Sequence, residues 1–411
     1  MPLSFSDLEP SPLLLFGLLL LAGTAGGELS RRVFNLPRTT GYVLVGVMLG
    51  NSGLRWVDPY VLGAAQFFIY PALGLILFEL GNRLPAPGEG FDRRLVLTGL
   101  AESGGVLAVV GGVLLWAGAD PLTAGFGAAV ALSTSPAITI ATTADVGADG
   151  PSTRRLYGLV AINGCVAFTM MCLLRPLMQT DDAGLTVAHV AGAFAELLLS
   201  VALGAGLAAL ACRAAGWLGH HAEHQHLMLL GLIVIGTGLP LSLDVSPLLT
   251  LLSFGVLTRL LDRQGRVVAL RIASDARVFL VVTFVLAGAA LDIGELLMHW
   301  PLAVALALAR FGGHWGVLHV AGRLDGQAPA LALFTAVGLL PMSSVALVLL
   351  GDAGLAGSDA PHLAGALMGL IVLMQLLGPL CTQLAIIGFG EARRYQPRRG
   401  KRHLPNGARP S

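Results

Sequence analysis

Charge is what this sequence is short of. Only 12% of its 411 residues are Asp, Glu, Lys or Arg, where an ordinary globular chain carries about 25%. With 55% hydrophobic residues and a mean hydropathy of +0.78, too little polar surface remains to cover a water-soluble body of this size. Lysine is nearly missing: Lys401 stands against 24 arginines. The net charge of +1 is not gathered on any soluble segment, so no nucleic-acid partner is expected. The four cysteines, Cys165, Cys172, Cys212 and Cys381, lie in or beside apolar runs without CxxC spacing. That pattern points to neither a disulfide framework nor a zinc site. No nucleophile–base pair, metal-ligand cluster or phosphate loop stands out, so the chain does not read as an enzyme and no cofactor is expected.

What it has instead is long apolar runs. A membrane-crossing helix needs about 20 such residues. Spans are expected near 12–30, 36–52, 62–81, 95–118, 121–145, 155–178 and 187–218, then 226–242, 246–262, 277–297, 300–323, 329–352 and 362–390. The first lacks a basic leader and reads as a span rather than a cleaved signal. With about thirteen crossings and the N-terminus outside, 22 basic residues fall in inward connections and only Arg55 and Arg175 in outward ones. That asymmetry follows the positive-inside rule and sets the C-terminus inside. The expected architecture is an all-α, multi-pass membrane domain over 1–390, followed by a basic, disordered cytoplasmic tail over 391–411.

Thirteen spans divide as six, one and six, with the seventh as a linker that inverts the second half. Inverted repeats of this kind place interrupted helices at matching positions of the two halves. The fifth span contains Ser133-Thr134-Ser135-Pro136 and the twelfth Pro341-Met342-Ser343-Ser344, each the fifth helix of its half. Proline removes a backbone donor, while hydroxyls can satisfy the groups it frees. Two such breaks crossing would give a cavity for a small ion.

Charges inside spans are costly and therefore candidates for function. Arg310 stands mid-span and cannot deprotonate, so it needs a partner, either in a structural ion pair or as a fixed cation in an ion site. Glu79, near the inner end of the third span, can act as a titrating acid or as a wet interfacial carboxylate. Glu102 and Glu196 read as interfacial or interhelical hydrogen-bonding groups. Asn163, in the sixth span, is a neutral oxygen ligand or an interhelical contact. The histidines of 220–226 lie in an inward connection and read as a solvated loop.

The stretches LPRTTGYVLVGVMLG (37–50), LGLILFELG (73–81) and ALSTSPAITI (131–140), with Arg310 and the Pro-Ser-Ser break in phase behind them, resemble the Kef/NapA-type monovalent cation:proton antiporters. The resemblance covers nearly the whole membrane portion. It implies thirteen helices in a NhaA/NapA-like inverted repeat, a homodimer in the cell inner membrane, and a core that moves as an elevator. It implies an ion site made of Thr134, Ser135, Asn163 and Arg310. In that family the residue after the Asn163 position is an aspartate; here it is Gly164. Either Glu79 supplies the exchanging carboxylate, or the substrate is another solute such as an organic anion, or the protein is a regulator that no longer exchanges ions.

Overall fold

The computed structural model describes residues 12–57, 59–82, 93–178, 186–219, 222–262, 265–267, 277–343, 346–347, 350 and 361–393. Ser344, His220, His221 and the tail from 394 onward lie outside them. The described elements are helices: α1 (Pro12–Val33), α2 (Arg38–Leu49), α3 (Pro59–Asn82), α4 (Arg93–Trp116), α5 (Pro121–Leu132), α6 (Pro136–Val146) and α7 (Pro151–Met178). They continue with α8 (Val187–Leu218), α9 (Ala222–Ser242), α10 (Pro247–Leu261), α11 (Arg277–Ala289), α12 (Ile293–Leu324), α13 (Pro329–Gly338) and α14 (Pro361–Gly388). Isolated antiparallel bridges, Thr134 with Met342 and Ala148 with Ala392, are the β-type pairings among the described residues.

Among the described residues, seven helices are long and apolar enough to cross a membrane: Leu14–Val33, Arg93–Trp116, Pro151–Met178, Val187–Leu218, Glu223–Ser242, Ile293–Leu324 and His362–Gly388. Leu21, Leu198, Trp217, Leu308 and Leu324 point outward with at least 65% of their surface exposed. So much outward apolar surface suits lipid rather than water.

The packing sorts the helices into two groups. α4, α5, α6, α7, α12, α13 and α14 pack mainly on one another, with α4–α12 and α12–α14 the broadest pairs. α1, α2, α3, α8, α9, α10 and α11 form the second group around α3–α10 and α8–α10. α7 against α8, with thinner contacts of α2 on α14 and α6, of α3 on α6 and α7, and of α10 on α7, join them. At the arginine-rich end, Arg38 of α2 pairs with Asp145 of α6 at 3.2 Å and ties the seam there.

Several local features differ from the sequence expectation for physical reasons. The run expected at 277–297 stops at Ala289, because Asp292 caps a new helix by accepting from Gly294 N at 2.8 Å. α12 then continues through Pro301, with His299 non-helical at the resulting kink. Residues 391–393, expected to belong to a free tail, are instead anchored to the helical domain. Glu391 accepts from the backbone amides of Ser152 and Thr153 at 2.9 and 2.8 Å and from the Thr153 hydroxyl at 2.6 Å, capping the start of α7. Burial works to raise the Glu391 pKa, but these donors outweigh it and hold the carboxyl below its ordinary range.

Candidate functional site

The two expected breaks are present and face each other. α5 ends at Leu132 and α6 begins at Pro136; α13 ends at Gly338, and Leu339–Ser343 carry the chain on without a helix. The connecting strands run antiparallel. Ser135 N donates to Pro341 O at 2.8 Å, and Ser343 N donates to Ser133 O at 3.0 Å. Each break thus supplies partners for amides and carbonyls that lost their helical ones, with no water needed. Ser135 also caps α6 by accepting from Ile138 N, and Gln375 of α14 donates to Met342 O at 3.2 Å.

Helix ends at α5 and α13 bring C-terminal carbonyls together, and Arg310 of α12 sits against both. Its Nε donates to Ala131 O at 2.5 Å, one terminal nitrogen donates to Leu340 O, and the other to Leu339 O at 2.9 Å and Thr134 Oγ1 at 3.2 Å. A helix C-terminus carries roughly half a negative charge, so two of them together about match one guanidinium. Arg310 is fully buried, and its hydrogen-bond partners are carbonyls and a hydroxyl. Sequence reasoning sought a partner for Arg310 among the side chains; backbone dipoles fill that role.

One helical turn further on, at i+4, lies His314, buried as completely as Arg310. Its Nδ1 meets Oε1 of Glu102 across the α4–α12 contact. When Glu102 is ionised it can only accept, and Nδ1 then carries the proton in this pair. Gly313 permits the approach: a Cβ there would lie 2.8 Å from the Val106 backbone. Asn163 Nδ2 lies 3.5 Å from both Glu102 Oε1 and Thr134 Oγ1, and Ser103 Oγ donates to Asn163 Oδ1 at 2.8 Å. Glu102, Ser103, Thr134, Asn163, Arg310 and His314 therefore form one buried polar cluster, drawn from α4, the α5–α6 break, α7 and α12. Within it, Glu102 Oε2 and His314 Nε2 have no protein partner. A buried polar atom left unpaired costs about 1–3 kcal/mol.

Thr134, Asn163 and Arg310, three of the residues singled out in the sequence, are joined directly, and Ser135, Pro136, Pro341 and Ser343 build the scaffold beneath them. Glu79 is buried on α3 in the other packing group, and the hydrogen bonds of Thr134, Asn163 and Arg310 do not go to it. Gly164 turns toward α10, where a Cβ would meet Leu252 at 3.7 Å. His314 was missed; Glu102, read as an interfacial or interhelical hydrogen-bonding group, meets side chains of α12 and α7. The available signal was a histidine four residues after a mid-span arginine, which places two costly polar groups on one helical face.

A family model described as the transmembrane sodium/hydrogen exchanger matches residues 16–386. This chain belongs to that family. The sodium/hydrogen exchanger fold is also seen in solved structures. The sodium proton antiporter MjNhaP1 from Methanocaldococcus jannaschii at pH 8 superposes with a TM-score of 0.67, covering 93% of this chain and 99% of that one at 15% identity. An electron-microscopy structure of the same antiporter gives 0.71, covering 94% and 98% at 14% identity. At such identities the likeness is one of fold. A Na(+)/H(+) antiporter of Enterococcus hirae is 51% identical over 45 residues, a match spanning 11% of this chain and 12% of that protein.

Proposed function

We propose that this exchanger-family chain swaps a monovalent cation, sodium or potassium, for protons by elevator-type alternating access. The observation that carries this reading is the crossing of two interrupted helices inside one packing group, with Arg310 compensating both helix ends beside a buried carboxylate. A transporter of this class needs a site near mid-membrane that is polar, dry and shared by few helices, and oxygen atoms suited to a small cation. Thr134, Ser135 and Asn163 supply neutral oxygens, and one of the two buried glutamates, Glu79 or Glu102, supplies the charge that cation and proton contend for. The thin seam between the packing groups supports rigid-body motion of one against the other. In this reading the chain makes thirteen crossings with its N-terminus out and C-terminus in, works as a homodimer in the cell inner membrane, and is of the Kef/NapA type.

The organic-anion alternative depends on Arg310 being available to a ligand. Four of its five N–H donors are engaged by Ala131, Leu339, Leu340 and Thr134, which weighs against it. The test is reconstitution into liposomes holding a pH dye, with sodium, potassium or lithium added against an imposed proton gradient. Collapse of the gradient by at least one cation is expected. No response from folded protein with any of the three would overturn the antiport reading.

A further inference from the structure

Two buried glutamates could hold the exchanged cation, and the geometry separates them. Glu102 touches Asn163, and through it the Thr134 hydroxyl at the helix crossing; Glu79 touches neither. Oε1 of Glu102 is taken by His314 and approached by Asn163, while Oε2 is buried with no protein partner. Arg310 does not neutralise this carboxylate by contact, because its hydrogen bonds run to the two helix ends and Thr134. Among the described residues, the side chain that meets Glu102 directly, apart from Asn163, is the imidazole of His314.

Resting on the exchange reading, we propose that Glu102 is the carboxylate ligand of the transported monovalent cation in this chain, and that His314 is the resting partner which the cation displaces. The chemistry follows from the donor set. A carboxylate oxygen without a partner and the nearby oxygens of Asn163 and Thr134 suit a small, hard cation. An anionic solute would require free donors, and Arg310 directs its hydrogen bonds to the helix ends and Thr134 instead. The acid absent from α7 at Gly164 is thereby replaced from α4.

The test pairs liposome exchange with cation-dependent thermal stability of the purified full chain, using sodium, potassium and lithium chloride. Glu102→Gln is expected to abolish both the flux and the cation-induced rise in Tm, and Glu79→Gln to keep both. Glu102→Asp, which keeps the charge on a shorter arm, decides the matter if the glutamine variant does not fold. It should exchange with an apparent KM raised about tenfold and a maximal rate within about threefold of the parent. His314→Gln should lower the cation KM, an effect that a purely structural role would not produce. Unchanged KM and unchanged thermal response in Glu102→Asp would overturn the assignment, as would loss of cation response in Glu79→Gln with none in the Glu102 variants. A parent chain showing neither flux nor thermal response would instead bring down the exchange reading itself.

Discussion

The α4–α12 and α3–α10 contacts are built with the same device and put to different use. Both bring helices close over glycine: a Cβ on Gly313 would lie 2.8 Å from Val106 Cα, and one on Gly255 would lie 2.3 Å from Phe78 O. Each contact also has a buried glutamate on its first helix, Glu102 on α4 and Glu79 on α3. Opposite Gly255 stands a tilted ring pair, Phe78 with Phe254, at 4.6 Å between centroids. Opposite Gly313, the close approach brings Glu102 to His314 beside Arg310. Burial alone thus does not mark a functional acid. What sets Glu102 apart is its link through Asn163 to Thr134 at the helix crossing.

The largest effect is expected where that contact meets the helix crossing. Lysine at 310 keeps the charge but cannot fork between Ala131 on one side and Leu339 and Leu340 on the other. Losing two such charge-assisted bonds, at about 1.5–3 kcal/mol each, removes a large part of the roughly 5–15 kcal/mol that holds a domain. Arg310→Lys should therefore lower Tm sharply and reduce exchange by about a hundredfold or more, measured by thermal denaturation and liposome flux. A lysine variant with normal Tm and rate would mean that charge, not bridging geometry, stabilises the crossing.

Alanine at the two glycines tests the comparison directly. Gly255→Ala pushes against backbone in an apolar contact, so overpacking of about 1–3 kcal/mol should appear as a lower Tm with little change in cation KM. Gly313→Ala also strains its contact, but the displacement separates Glu102 from His314, so KM should shift even after the Tm loss is matched. Equal effects on KM from both substitutions would erase the functional distinction between the contacts.

The reach of the sequence follows the range of the interactions involved. Both breaks were legible because proline and hydroxyls act locally: Ser133-Thr134-Ser135-Pro136 ends one helix and caps the next. The span expected at 187–218 matches α8 residue for residue, since long apolar runs report themselves. The split at 290–292 was hidden by an apolar run that continues on both sides of a single capping aspartate. The partners of Arg310 were not legible, because backbone carbonyls have no letter in a sequence. Nor was the Glu102–His314 pair, whose members lie 212 residues apart and meet only through the packing of α4 on α12. Glu79 drew attention by its neighbours in the chain; Glu102 is brought beside Asn163 and His314 only in space.

The smallest expected effect concerns Gly164, the position where the family resemblance leads one to look for an acid. It faces α10 rather than the polar cluster: a Cβ there would make ordinary contacts, 3.7 Å to Leu252 and 3.8 Å to Phe168. Glycine inside a helix costs about 0.5–1 kcal/mol relative to alanine, and nothing around α7 at this point requires its absence of side chain. Gly164→Ala should therefore raise Tm slightly and leave cation KM unchanged. If the methyl group instead impaired exchange while Gly255→Ala did not, the ion would have to pass along the α7 backbone facing α10. The route would then run between the two packing groups rather than within the α4–α12 contact, and Glu79, on the far side of that seam, would regain its claim.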